Sequence, residues 1–263
     1  MTEDLNTLKS KKLFILDMDG TFYIGNKLIE GSLGFLQKLK ATGREFLFFT
    51  NNSSKIRSFY KKKLADMGCF VEEEDIITSG DVTIKYLKEN YPRKGVYLVG
   101  TELLEESFRN AGIRLTEDRP DIVVLGFDTS LTYDKMTKAC RFIRAGALFL
   151  ATHLDLNCPT EEGFIPDCGA MCAMVQASTG VSPRYLGKPF RETVEMIKLI
   201  TGKKEAELAF VGDRLYTDIA AGVKNGITGI LVLTGETERM DVAKSEIQPD
   251  FIFESLAALG EAL

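Results

Sequence analysis

The sequence predicts an α/β fold, with an open, doubly wound parallel sheet into which a second α/β domain is inserted. Short apolar runs that end in polar residues alternate with helical stretches, which is the pattern of a parallel sheet with helical crossovers. The stretch from 51 to 187, between two polar clusters at Thr50 and Lys188, is far longer than one crossover needs. It therefore has room for a domain of its own.

The apolar runs are continuous rather than alternating, which is typical of strands buried on both faces of a parallel sheet. They lie at 13–16, 46–49, 208–211, 229–233 and 251–253. The carboxyl ends of parallel strands share one edge, and ligands bind there. Asp17, Thr50 and Asp213 stand at or just after three of these ends, so we expect them to converge.

Two of the helical stretches, 32–42 and 191–200, carry apolar residues at helical spacing. The spacing predicts buried faces made of Leu33, Leu36 and Leu39 in the first helix and of Val194, Ile197 and Ile200 in the second. A hairpin turn is predicted at Gly25-Asn26.

A second strand and helix series lies inside the long central stretch. Strands are predicted at 96–99, 122–125 and 148–150, with helices at 101–111 and 132–145. We therefore expect an inserted domain at 80–180 and a main domain made of 1–79 and 181–263.

Composition excludes several classes of protein. Among 263 residues, 33 Lys and Arg stand against 38 Asp and Glu, so the net charge is −5, which argues against a nucleic-acid binder. No apolar run approaches a membrane span, and the first residues lack the apolar core of a signal peptide. Five scattered cysteines and one histidine do not form a zinc motif and indicate reduced thiols in a cytoplasmic protein.

With a single histidine in the chain, acid chemistry has to come from carboxylates. Asp17 and Asp19 follow the first strand, and Asp213 and Asp218 follow a later one. Four carboxylates at one edge would repel one another, and a divalent cation such as Mg²⁺ is the natural compensation.

An anion site is predicted beside these acids. Lys188 lies between Gly187 and Pro189, and Thr50 begins a polar turn with Asn51 and Asn52 whose backbone N–H groups favour an anion. A carboxylate nucleophile, a second carboxylate, a hydroxyl, a lysine and a metal together indicate phosphoryl transfer through an aspartyl phosphate.

These residues resemble the four motifs of the haloacid dehalogenase superfamily, in the family's order. DMDGT at 17–21 resembles the first motif, Thr50 the second, Lys188 the third and GDRLYTD at 212–218 the fourth. The resemblance implies a Rossmann-like core, and the long insert implies a type-2 cap. TNNSSKIR at 50–57, GTFYIGNKLI at 20–29 and GKP at 187–189 resemble more closely the NagD-type, or 4-nitrophenylphosphatase-like, phosphatases.

The resemblance implies a role for each acid. Asp17 would attack phosphorus and bind Mg²⁺, while Asp19 would act as acid and base and offer its carbonyl to the metal. Asp213 would bind Mg²⁺ directly, and Asp218 would position it through water or Lys188. Thr50, Asn51 and Asn52 would hold the phosphoryl oxygens, and Lys188 would neutralise Asp17 and the phosphate.

The segment 151–169 is the candidate for the loop that reads the substrate. The family commonly has Asn-Pro-Asp where this chain has His153-Leu154-Asp155, and Pro-Gly-x-Gly where it has residues 166–169. His153 and Asp155 are candidate substrate contacts; for His153 a hydrogen-bonded loop position is the alternative.

The expected function is a Mg²⁺-dependent phosphatase acting on a small phosphorylated metabolite, namely a sugar phosphate, a phosphoglycolate-like acid or a nucleotide monophosphate. A homodimer stays open, because family caps often mediate dimers. Three alternatives also stay open: a phosphomutase, a signalling receiver and a metabolite-binding protein without turnover. A dehalogenase is disfavoured, because that chemistry uses neither the second Asp nor Mg²⁺.

Overall fold

The computed structural model describes residues 5–160 and 162–263, except for the side chain of Leu5. Residue contacts divide the chain into two compact units. The first unit consists of residues up to 50, 61–77 and 193–263, and the second consists of 51–60 and 78–192. The short segment 51–60 therefore groups with the long central stretch.

The strands in chain order are β1 (Leu13–Leu16), β2 (Tyr23–Ile24), β3 (Lys27–Leu28), β4 (Glu45–Thr50), β5 (Ile76–Thr78), β6 (Val96–Val99), β7 (Ile122–Leu125), β8 (Leu148–Ala151), β9 (Asn157–Thr160), β10 (Gly163–Pro166), β11 (Arg184–Tyr185), β12 (Leu208–Gly212), β13 (Thr228–Val232) and β14 (Phe251–Phe253).

The α-helices are α1 (Leu5–Lys9), α2 (Ser32–Ala41), α3 (Arg57–Asp66), α4 (Ser79–Asn90), α5 (Glu102–Asn110), α6 (Tyr133–Arg144), α7 (Cys168–Thr179), α8 (Arg191–Thr201), α9 (Ala220–Val223), α10 (Arg239–Val242) and α11 (Leu256–Ala262). Short 3₁₀ helices occupy Glu73–Asp75 and Glu205–Glu207, and a π-helical turn occupies Leu215–Ile219.

The first unit is built on a six-stranded sheet in the order β14-β13-β12-β1-β4-β5. β1 pairs in parallel with both β4 and β12, and Leu16 lies opposite Phe48 and Val211. All residues of β1, β12 and β13 are buried, as the continuous apolar runs predict. The register brings the carboxyl ends of β1, β4 and β12 to one edge, which confirms the predicted α/β sheet.

Two predicted helix faces needed correction. In α2 the buried residues are Ser32, Phe35, Leu36 and Leu39, whereas Leu33 is 37% exposed. In α8 the buried apolar residues are Val194, Met196 and Ile197, and Ile200 is 49% exposed. In both helices the buried face is wider than the three predicted positions, because neighbours at i+3 and i+4 both belong to it. It is also rotated slightly around the helix axis, so that one predicted residue lies at the exposed edge.

The second unit contains a four-stranded sheet in the order β11-β8-β7-β6, in which every pair is parallel. β9 and β10 form a separate antiparallel hairpin that the sequence did not indicate. Residues from β6, β7 and β8 form one apolar core with residues from α6 and α7. The predicted strands and helices of the central stretch are confirmed. No helix in the described part of the chain has the length and apolarity to span a membrane.

Candidate active site

Three carboxylates meet at the strand ends of the first unit. Asp17 follows β1 and donates its backbone N–H to the carbonyl of Val211 at 2.9 Å. Asp213 follows β12, and Asp218 lies in the π-helical turn after it. One oxygen from each carboxylate lies within 4.8 Å of the other two. Asp213 and Asp218 are buried and Asp17 is partly exposed, so the cluster is accessible through Asp17.

Glycines make room for this cluster. Gly20 has a φ of 86°, and a side chain there would collide with the carboxylate of Asp213. A side chain at Gly235 would collide with the same carboxylate. The glycine of the DMDGT segment is therefore required both by its left-handed backbone and by the close approach of Asp213.

The electrostatics of Asp213 fit a bound cation. Its carboxylate accepts hydrogen bonds from the Thr21 hydroxyl (3.2 Å) and the Glu236 N–H (2.7 Å). Burial, and then the negative charge of Asp218, raise the pKa of Asp213 to about 6. The cost of keeping all three carboxylates ionised is what a divalent cation offsets, and an all-oxygen donor set suits a hard ion such as Mg²⁺.

Asp19 is held under different conditions from the three clustered acids. It is partly exposed, and burial of its carboxyl raises its pKa. The cations Lys63 and Arg214 and the backbone N–H groups of Gly25 and Gly20 oppose that rise. A raised pKa lets a carboxyl retain a proton nearer to neutral pH, which a proton donor needs.

Thr50 is the last residue of β4 and is buried. In the turn that follows, the Asn52 side-chain oxygen accepts hydrogen bonds from the Ser54 N–H (3.0 Å) and the Ser54 hydroxyl (2.7 Å). The Ser53 hydroxyl lies 2.9 Å from the hydroxyl of Thr152. These bonds fix the backbone of the predicted anion-binding turn within the second unit.

Asn51 binds the backbone of Lys188, which is 137 positions away in the sequence. The Lys188 N–H donates to Asn51 Oδ1 at 2.9 Å, and Asn51 Nδ2 donates to the Lys188 carbonyl at 3.1 Å. Lys188 itself is only 2% exposed. The residue after the second motif, Asn51, is thus joined directly to the third motif through its side-chain amide.

His153 and Asp155 lie inside the second unit. His153 has no exposed surface and Asp155 is 3% exposed. His153 Nδ1 lies 3.4 Å from Asp155 Oδ2, and His153 Nε2 lies 3.4 Å from Asp167 Oδ1. Burial disfavours the charged imidazole, but the negative charges of Asp167, Cys168 and Asp155 outweigh it and raise the pKa of His153 to about 9.

The structure therefore brings the selected residues together in two groups: Asp17, Asp213 and Asp218 in the first unit, and Asn51, His153, Asp155 and Lys188 in the second. Sequence reasoning did not select Asp167. Its signal was its place before helix α7, where its side chain accepts a hydrogen bond from the Cys168 N–H at 2.6 Å.

Comparisons with known proteins agree with this geometry. Residues 14–114 match a family model described as haloacid dehalogenase-like hydrolase, and residues 185–259 match a second model described as HAD-hydrolase-like. The acid sugar phosphatase of Staphylococcus aureus strain MRSA252 is 36% identical over 252 residues, which are 95% of this chain and 96% of that protein.

Solved structures give the same result. A 4-nitrophenylphosphatase from Thermotoga maritima is 44% identical with a TM-score of 0.94, covering 97% of this chain and 98% of its own. A glycerol phosphate phosphatase from Mycobacterium tuberculosis, solved in complex with magnesium, is 31% identical with a TM-score of 0.89, covering 96% of this chain and 77% of its own. The resemblance seen in the four motifs is thereby confirmed over nearly the whole chain.

Proposed function

Since the chain belongs to the haloacid dehalogenase-like hydrolase family, and within it to the phosphatases, we propose that it hydrolyses small phosphomonoesters with Mg²⁺ through an aspartyl phosphate on Asp17. The observation that carries the proposal is the meeting of the Asp17, Asp213 and Asp218 carboxylates within 4.8 Å at the strand ends. The partly exposed Asp19, with its raised pKa, lies two residues from the proposed nucleophile.

In the first step, one oxygen of Asp17 forms a bond to phosphorus while the bond from phosphorus to the leaving oxygen breaks. Asp19 gives its proton to that leaving oxygen. In the second step, Asp19 takes a proton from a water molecule whose oxygen attacks the same phosphorus. The bond between phosphorus and Asp17 then breaks, so that inorganic phosphate leaves and both carboxyl groups return to their starting states.

Asp17, Asp213, Asp218 and the backbone carbonyl of Asp19 are the groups that would hold Mg²⁺. When bound, the ion supplies positive charge that offsets the crowded carboxylates and the phosphate. The raised pKa of Asp213 is in keeping with this assignment, because burial, and then the negative charge of Asp218, make its ionised form costly without a nearby cation.

The remaining phosphate contacts are carried over from the resemblance. We assign the Thr50 hydroxyl and the backbone N–H groups of Asn51 and Asn52 to the phosphoryl oxygens, and the Lys188 ammonium to their charge. The double hydrogen bond between Asn51 and the Lys188 backbone supports this assignment, since it holds two of the four groups in one rigid piece.

We also propose that residues 1–79 and 181–263 form the catalytic core, and that 80–180 form the substrate-selecting cap of a cytoplasmic enzyme. The substrate contacts predicted for His153 and Asp155 stay a prediction. The names of the relatives, an acid sugar phosphatase and a glycerol phosphate phosphatase, favour sugar and polyol phosphates over phosphoglycolate-like acids and nucleotide monophosphates.

The test is phosphate release from 4-nitrophenyl phosphate and from a panel of sugar, polyol and nucleoside monophosphates, with and without Mg²⁺. We expect turnover that EDTA abolishes and added Mg²⁺ restores, with the highest kcat/KM for a sugar or polyol phosphate. Turnover that survives EDTA, or that Asp17→Asn leaves unchanged, would contradict the proposal.

A further inference from the structure

The Asn51 amide makes hydrogen bonds with three groups. A side-chain amide has one acceptor oxygen and two N–H donors. The oxygen accepts from the Lys188 N–H at 2.9 Å, and Nδ2 donates to the Lys188 carbonyl at 3.1 Å and to Asp155 Oδ2 at 3.2 Å. Only one orientation of the amide satisfies all three partners, because turning it over would place its oxygen against the carbonyl of Lys188.

Asp155 in turn lies against the buried histidine. The oxygen that accepts from Asn51 also lies 3.4 Å from His153 Nδ1, and the other ring nitrogen lies 3.4 Å from Asp167 Oδ1. The side chains of His153, Asp155 and Asp167 are 0%, 4% and 5% exposed, so solvent screens these charges little. A continuous line of polar contacts therefore runs from Asp167 through His153, Asp155 and Asn51 to the backbone of Lys188.

The chain around Lys188 is packed closely on this cluster. Gly187 donates its N–H to the carbonyl of Thr152 at 2.7 Å. A side chain at Gly187 would come within 2.6 Å of Asn51 Oδ1 and 2.7 Å of the Thr152 carbonyl oxygen. The backbone that carries Lys188 thus lies directly against the residue before His153, and small shifts of the cluster reach it without an intermediate layer.

We propose that His153, Asp155 and Asp167 are positioning residues for Lys188: they hold the Asn51 amide in the orientation that binds the Lys188 backbone, and so fix the point from which the lysine side chain extends. This inference rests on the proposed function, in which the Lys188 ammonium neutralises the transferring phosphoryl group. The inference assigns to His153, Asp155 and Asp167 a role in the rate of turnover rather than in the choice of substrate.

A metal site is a weaker interpretation of the same three side chains. One ligand atom from each lies within 4.8 Å of the others. However, the two carboxylates face opposite nitrogens of the ring, so an ion bound at one nitrogen would have only one of them beside it, and the other carboxylate would accept from the second nitrogen. Two acids on either side of an imidazole are instead the arrangement that stabilises a protonated ring.

The first experiment compares Asp155→Ala and His153→Gln with Asp128→Asn. Asp128 is a matched control, since it is 1% exposed and lies in the same unit but pairs with Lys135 at 2.6 Å. For 4-nitrophenyl phosphate, glycerol phosphate and a hexose phosphate, kcat should fall by the same factor, about 10- to 100-fold, in both cluster variants. KM of both cluster variants should change by less than about threefold. The kcat of the control Asp128→Asn should also stay within about threefold of the wild-type value.

The second experiment tests whether the loss acts through the lysine. In a Lys188→Met background, Asp155→Ala should lower the residual kcat by less than about twofold, because the positioned group is already gone. If Asp155→Ala instead lowers kcat by the same factor in the Lys188→Met background as in wild type, the proposal is overturned. If Asp155→Ala lowers the folded fraction, Asp155→Asn replaces it. The amide oxygen of this variant can accept the same hydrogen bond from Asn51, so its kcat should stay closer to the wild-type value than that of His153→Gln. An equal loss of kcat in the two variants would contradict the role of that bond.

The remaining outcomes separate this inference from the proposed function. Full activity in Lys188→Met would contradict the function itself, whereas a strongly impaired Lys188→Met beside a fully active Asp155→Ala would contradict the positioning role alone. Losses that differ between substrates, carried by KM, would make His153 and Asp155 substrate contacts. A stoichiometric metal found in the purified Asp213→Asn protein but absent from His153→Gln would assign a metal site and overturn the proposal.

Discussion

The two acidic clusters of this chain solve the same electrostatic problem in opposite ways. In the first unit, Asp17, Asp213 and Asp218 crowd one another, and burial together with Asp218 raises the pKa of Asp213 to about 6. In the second unit, Asp155 and Asp167 lie on either side of His153, whose pKa they help to raise to about 9. The first cluster is suited to receive a cation, while the second contains its own.

The largest expected effect tests the reactive side of this comparison. Asp17→Asn should lower kcat for 4-nitrophenyl phosphate by about 10³-fold or more, because the amide cannot act as the nucleophile. Its melting temperature should not fall, since the change removes one of three mutually repelling charges. Asp66→Asn, which alters an exposed carboxylate, provides the activity control. A melting temperature lowered in Asp17→Asn would mean that the cluster is not electrostatically crowded.

The histidine in the second cluster should be essential for stability. His153→Gln leaves Asp155 and Asp167 buried without their cation, so the free energy of unfolding should fall by about 3 kcal/mol. Urea denaturation followed by circular dichroism measures this change. Lys62→Gln, which breaks an exposed pair with Asp66, should show no measurable loss. Equal stability of His153→Gln and wild type would show that the ring carries no charge.

Asp213→Asn should have the opposite effect on stability, raising the free energy of unfolding. The pKa of Asp213 is raised from an unfolded value of about 3.9 to about 6, so its ionisation destabilises the fold progressively as the pH rises from about 4 and fully above about 6. Without metal at neutral pH, the variant should gain about 1 kcal/mol of unfolding free energy. Added Mg²⁺ should raise the melting temperature of wild type but not of the variant. A loss as large as that of His153→Gln would remove the contrast between the clusters.

The smallest effect is a difference in pH dependence. A folded pKa of about 9 against about 6.5 unfolded means that His153 stabilises the fold fully below pH 6.5 and loses this contribution as the pH rises towards 9. The negative charges of Asp155, Asp167 and Cys168 act on the ring. Although burial opposes it, a hydrogen bond with Cys172 and the charge of His153 lower the pKa of the Cys168 thiol to about 7.

The effect of His153→Gln should therefore be measured in a protein that already carries Cys168→Ser, because this change removes the titration of the Cys168 thiol. The difference in unfolding free energy between Cys168→Ser and Cys168→Ser/His153→Gln should be largest below pH 6.5 and shrink above it. A difference that is constant from pH 6 to 9 would contradict a protonated His153.

Local sequence patterns predicted the strands and the positions of the acids well, because both depend only on residues that are neighbours in the sequence. Four or five apolar residues in a row mark a buried strand such as β1 or β12, and the acid that follows must lie at its carboxyl end. The exposed Leu33 and Ile200 show the limit, since the rotation of a helix depends on what packs against it.

Contacts between distant segments could not be predicted in this way. Asn51 and Lys188 are 137 positions apart, and no periodicity links them. His153 lies 3.4 Å from Asp167, which caps the start of helix α7 further along the chain, and no local pattern links the two residues. A pattern around His153 indicated an unusual loop, but not that its charges would be enclosed.

The most direct measurement of the central claim uses Asp19→Asn with Mg²⁺ and 4-nitrophenyl phosphate. The 4-nitrophenolate group leaves without protonation, whereas hydrolysis of the aspartyl phosphate needs the lost base. We predict a burst of one 4-nitrophenolate per protein molecule, followed by slow turnover, and one phosphoryl group on the peptide containing Asp17 in mass spectra of acid-quenched protein. Undiminished steady turnover with no burst and no phosphorylated Asp17 peptide would contradict the account.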